Sequence, residues 1–187
     1  MSRFYQLLLI GTFLPLCWLW MMVVHELGHV LAAHATGGQV VGVVLHPLAI
    51  SRTDVAPNPA PLLVAWAGPL VGACLPIALW ALFKFARWRW AYLARFFAGF
   101  CLISNGAYIG IGWVNRIGDT GVMLRCGTPL WCLWAFGAVS LPGGLLLWHH
   151  LGPHFGLGEC GEAVEPRDAY LCTGLLTLTV LLELAFI

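Results

Sequence analysis

The sequence predicts an all-α polytopic membrane protein with about five transmembrane helices and a short membrane-associated β-element after the first. Three observations carry this. The 187-residue chain is 60% hydrophobic and 9% charged, with a mean hydropathy of +0.87, too few polar side chains to coat a water-soluble globule. Apolar segments of spanning length recur near 5–34, 61–84, 91–114, 129–150 and 168–187. Between the first two, Gln39 to Leu45 is a β-branched run bounded by glycine and proline.

The first segment exceeds the thickness of a bilayer core, so tilt or a kink at Pro15 is expected. Gly37 and Gly38 end it, the strand 39–45 follows, and the remaining loop through Ser51, Arg52 and Pro57 to Pro59 reads as irregular and interfacial. The second segment carries Ala67-Gly68-Pro69, a helix-breaking pair whose Gly68 and Gly72 have the spacing that lets helices approach closely. It ends in Lys84, Arg87, Trp88, Arg89 and Trp90, the basic and aromatic mixture of a membrane interface. The third segment leads into a glycine-rich break holding Asp119, and the fourth is expected to be interrupted at Pro142-Gly143-Gly144. The glycines at 106, 110, 112, 118 and 121 are where the bundle is expected to open to water.

Nine basic and eight acidic residues give a net charge of +1, without the basic stripe that nucleic-acid binding needs. The seven cysteines form no C-x-x-C pair and read as small apolar packing residues. A cleaved signal peptide ending near Ala35 would remove the chain's strongest motif, so the N-terminal segment is read as a retained span. One transmembrane domain over 1–187 is expected, with a core at 15–126.

That motif is His25-Glu26-Leu27-Gly28-His29. Histidines four apart share one helix face and can ligate one metal ion, while Glu26 is displaced around the helix to where a general base for a metal-bound water must sit. Ionisable residues are costly in a spanning segment, and three lie here within five positions. A catalytic zinc takes three protein ligands and leaves one position open. Asp119 is the expected third ligand, its alternative being a cap on a helix that begins near Thr120. His34 faces another side of the helix, and His46 precedes a proline at the interface. His149, His150 and His154 with Glu159, Glu162 and Glu165 read as a solvated loop.

These residues resemble the site-2 protease family of intramembrane zinc metalloproteases, through His25-Glu26-Leu27-Gly28-His29, Ala67-Gly68-Pro69 and Asp119-Thr120-Gly121. The resemblance implies one zinc ion on His25, His29 and Asp119, Glu26 as the base, and a strand that pairs with an unfolded substrate, where Val41 and Val43 would contact it. Asn105 or Asn115 would steady the substrate backbone or oxyanion. The chain departs from the family pattern in two places: no proline precedes Asp119 between 91 and 118, and Thr120 separates Asp119 from Gly121. With no regulatory domain in view, a minimal enzyme is expected, acting on membrane protein substrates within the lipid bilayer, with room for a regulatory membrane partner. Two other classes compete: a non-catalytic membrane scaffold or partner subunit, indifferent to changes at Glu26, and a small metal or proton transporter, which would want paired half-helices that the sequence lacks.

Overall fold

Among the described residues, five helices are long and apolar enough to cross a membrane: α1 (Ser2–Ala35), α2 (Pro61–Phe85), α3 (Ala91–Ile111), α5 (Leu130–Trp148) and α6 (Pro166–Ala185). The short α4 (Gly118–Arg125) lies between α3 and α5. The computed structural model describes residues 2–158, 161 and 163–185. Glu159, Cys160, Glu162 and the last two residues of the fifth expected span lie outside that range. The protein is a multi-pass integral membrane protein, as its composition requires.

The breaks expected at Gly68-Pro69 and at Pro142-Gly143-Gly144 are not found: α2 continues through Pro69 and α5 through Pro142, and α1 likewise runs unbroken through Pro15. In hydrocarbon no water competes for the carbonyl that a proline frees, so the helical path is retained.

The glycines expected to open the bundle instead close it. A Cβ on Gly106 would lie 2.7 Å from the Ser140 Cβ, and one on Gly110 would lie 3.2 Å from the Gly137 Cα. On α5, a Cβ at Gly137 would lie 3.0 Å from the Gly106 carbonyl oxygen, and one at Gly144 would lie 2.7 Å from that of Gly99. Small residues thus let α3 and α5 meet backbone to backbone, where dispersion contacts replace a hydrophobic effect that lipid does not supply. A second cluster of glycines folds α4 back onto α3: added carbon at Gly112 would meet the Thr120 Oγ1 at 2.8 Å, and at Gly121 it would meet the Arg116 carbonyl.

After α1, β1 (Val40–Val44) pairs antiparallel with β2 (Arg52–Val55), Val43 opposite Thr53, with an irregularity between Val40 and Gly42. The sequence reading had β1 but took 51–59 as irregular. Four residues containing both Arg52 and Asp54 are too short and too polar to stand out as a strand, and pairing with β1 decides their conformation.

The main apolar core joins Leu9, Leu16 and Cys17 of α1 to Phe97 and Cys101 of α3 and Cys172 of α6. All six cysteines among the described residues are free thiols, in keeping with a packing role. Ring contact between Tyr5 and Tyr170 and a 2.9 Å hydrogen bond from Trp20 Nε1 to Thr179 Oγ1 show that α6 runs parallel to α1. The hairpin, α4, and the C-terminal ends of α1 and α6 therefore share one end of the bundle.

At the other end, the buried Asp168 accepts hydrogen bonds from Tyr92 Oη (2.6 Å), Trp90 Nε1 (3.0 Å) and Arg89 Nη2 (3.2 Å), tying α6 to the α2–α3 turn. Removing the acceptor strands these donors, so Asp168→Ala is expected to cost about 3 kcal/mol. Earlier heat-induced loss of tryptophan fluorescence in detergent would register this, and an unchanged melt would contradict it.

Candidate metal centre

His25 and His29 lie four residues apart near the C-terminal end of α1, and both are buried. His25 Nε2 lies 3.0 Å from Asp119 Oδ2, and His29 Nε2 lies 3.4 Å from Asp119 Oδ1. The residues brought from α1 and α4, distant in sequence, converge on one point.

The far side of each ring determines what that point can hold. His25 Nδ1 is 2.7 Å from Asn105 Oδ1, and Asn105 Nδ2 donates to the Cys101 carbonyl at 2.9 Å, which fixes the amide's orientation. His29 Nδ1 is 2.7 Å from the Val64 carbonyl. Both partners are oxygens that only accept, so Nδ1 donates in each ring and Nε2 is the atom turned toward Asp119. A cation seated there would take two Nε2 lone pairs and a carboxylate oxygen as its ligands. The 3.0 and 3.4 Å separations bracket the edge of a tetrahedron with arms of about 2.0 Å, which is about 3.3 Å. The donor set and its supporting hydrogen bonds fit zinc.

Glu26 also borders the point, its carboxylate lying with the two imidazoles in a group whose ligand atoms are within 4.8 Å of one another. The two carboxylates differ in their partners. Asp119 contacts both imidazoles, whereas Glu26 accepts from Ser51 Oγ and Thr53 Oγ1, each at 2.7 Å. The two carboxylates thus stand in different surroundings, one against the imidazoles and one against the hydroxyls of the hairpin. Ser51 and Thr53 were not among the residues singled out in the sequence, since a hydroxyl in a loop carries no signal until β2 brings it over α1.

Asp119 is held by α4. Its backbone N–H donates to Tyr108 Oη at 3.1 Å, and the Thr120 hydroxyl reaches the carbonyls of Gly112 (3.1 Å) and Ile117 (2.9 Å). Gly118 has φ +57°, and a side chain there would strike the Tyr108 hydroxyl. Thr120, which departs from the family spacing, is thus an anchor that faces away from the metal point.

The α2 backbone forms the floor. A Cβ on Gly28 would collide with the Ala67 carbonyl and lie 2.9 Å from the Gly68 Cα, while a Cβ on Gly68 would strike the His29 ring and lie 2.9 Å from His25 Nε2. Gly28 and Gly68 let α1 and α2 touch directly beneath the two imidazoles.

Other residues named from sequence lie elsewhere. Asn105 stands behind His25 with both ends of its amide engaged, and Asn115 lies in the exposed turn before α4. Val41 and Val43 project from β1 and are exposed. His34 is exposed beyond the site, His46 accepts a local hydrogen bond from the Leu48 N–H, and His149, His150 and His154 sit at the opposite end of the bundle.

No curated protein and no solved structure matches the chain. A family described as Peptidase M50B-like matches residues 5–116, well over half of the chain and a stretch that includes His25, Glu26, His29 and Gly68. The chain belongs to the Peptidase M50B-like family.

Proposed function

We propose that this protein is a zinc-dependent intramembrane protease that hydrolyses peptide bonds of membrane-embedded substrates. The observation that carries the reading is the convergence of two imidazole Nε2 atoms on one carboxylate, with both Nδ1 protons committed to carbonyl acceptors. Membership in a peptidase family supports it. The functional unit is a single transmembrane domain over 1–187, with its catalytic core at 15–126.

His25, His29 and Asp119 hold the ion. Zinc bound there supplies Lewis acidity toward the scissile carbonyl and acidifies water. Glu26 takes the proton from the attacking water and returns it to the leaving amine, with Ser51 and Thr53 fixing the plane of its carboxylate. Asn105 orients the His25 ring from behind, a supporting role in place of direct substrate contact. Strand β1, with Val41 and Val43, holds the substrate extended by edge pairing, and Asn115, exposed in the turn before α4, contributes a further substrate contact on this reading.

Metal content of the protein purified in detergent tests the reading. About one zinc per chain is expected, as for a site with three protein ligands. His29→Ala and Asp119→Ala should each lose most of it, and Glu26→Gln should keep it. A folded preparation that binds no zinc would overturn the protease reading and favour a scaffold.

A further inference from the structure

Beside the candidate metal centre, a groove of about 380 Å³ is walled by Trp20 and Val23 of α1, Val43 of β1 with Leu45 just beyond it, and Leu178 and Glu183 of α6. Thr179 also lines it, with its hydroxyl already engaged by Trp20 and the Leu175 carbonyl, and Glu183 is the ionisable group of the wall. Glu183 is buried, and neither carboxyl oxygen has a hydrogen-bond partner. An unpartnered carboxyl inside an apolar wall is costly, and a membrane setting raises the cost, so the feature calls for a donor.

The groove adjoins the candidate base. Val23 is one helical turn before Glu26 on α1, and Val43 lies opposite Thr53, whose hydroxyl bonds the Glu26 carboxylate. Because α6 runs parallel to α1 and Trp20 bonds Thr179, Glu183 one turn further along comes to the height of His25 and Glu26. His46, just beyond β1, lies within electrostatic reach of Glu183, with its Nδ1 turned to the Leu48 N–H.

We propose that this groove is a substrate subsite in which Glu183 receives a lysine or arginine side chain of an extended polypeptide. The polypeptide class follows from the wall: among the described residues β1 pairs only with β2, so its other edge offers main-chain groups to an added strand. The apolar lining takes the methylene stem of a long basic side chain, and the carboxyl takes its head. Glu183 would thereby choose which bond is cut, by requiring a basic residue at a fixed distance from it. The assignment to a substrate rests on the protease reading above.

The test uses a panel of apolar single-span peptides in detergent micelles, each with one lysine at successive positions, beside the same peptides with norleucine. Carbodiimide coupling of carboxyl to amine, mapped by mass spectrometry, is expected to join Glu183 to lysine at one or two positions only. Lysine at those positions should tighten binding about tenfold over norleucine. In Glu183→Gln the lysine advantage should fall below about twofold. Coupling elsewhere, equal binding of all positions, or a lysine preference that survives Glu183→Gln would overturn the subsite, as would a groove that takes up phosphatidylethanolamine and excludes every peptide. Coupling and binding need neither zinc nor turnover, so they also decide the matter if Glu183→Gln fails to fold. Failure of the protease reading registers separately, as absent zinc or uncut peptides.

Discussion

Glu26→Gln should lower the rate of peptide-bond cleavage by about 10³-fold, within the range that a general base contributes, while leaving bound zinc unchanged. The reasoning is geometric. Both Glu26 oxygens face hydroxyl donors at 2.7 Å, so the group is oriented by the hairpin, and Asp119 is the carboxylate that touches the imidazoles. Glutamine fills the same volume but has no basic carboxylate to accept the proton. The measurement is single-turnover cleavage of a membrane-embedded peptide, with zinc counted on the same sample. Undiminished cleavage would remove Glu26 from the reaction, and zinc lost together with activity would make it a ligand.

Gly68→Ala should be nearly as damaging, although the residue has no side chain to lose. The added methyl would strike the His29 ring and lie 2.9 Å from His25 Nε2. Neither ring can yield freely, since each Nδ1 is tied to a carbonyl at 2.7 Å. Either α2 moves away, opening the Gly28 contact, or the imidazoles turn off the metal point. Loss of supporting geometry at a metal site typically costs 10- to 100-fold in affinity, and direct displacement of two ligands should reach at least about 100-fold. Zinc titration against a competing chelator checks this, with Gly174→Ala as control because open space surrounds that position. An unchanged affinity would show that the helices separate without cost.

Much of this architecture is legible in the sequence because the bilayer enforces it. Length and apolarity mark each span, and four-residue spacing puts His25 and His29 on one face whatever surrounds them. Asp119 was reachable from its glycine-rich setting and the need for a third ligand. What could not be read depends on contact between elements distant in sequence. Strand β2 exists through pairing with β1, and only that pairing carries Ser51 and Thr53 over Glu26. Asn105 was read as a substrate contact because an amide's partners are invisible in one dimension; α3 turns it to His25. Glycines were read as loosening the bundle, and in lipid they do the opposite, by removing the side chains that would keep α3 and α5 apart. Glu183 is one acidic residue near the end of a span, and nothing in the sequence around it signals the groove that α1 and β1 complete.

The contact of Gly28 with the α2 main chain has a stereochemical consequence. A floor built from backbone has no rotamer with which to make room, so the point between His25 and His29 is closed on the α2 side. On the protease reading, a planar amide aligned by pairing with β1 would meet that rigid floor in the same way for every sequence it carries, and would offer one prochiral face to the water.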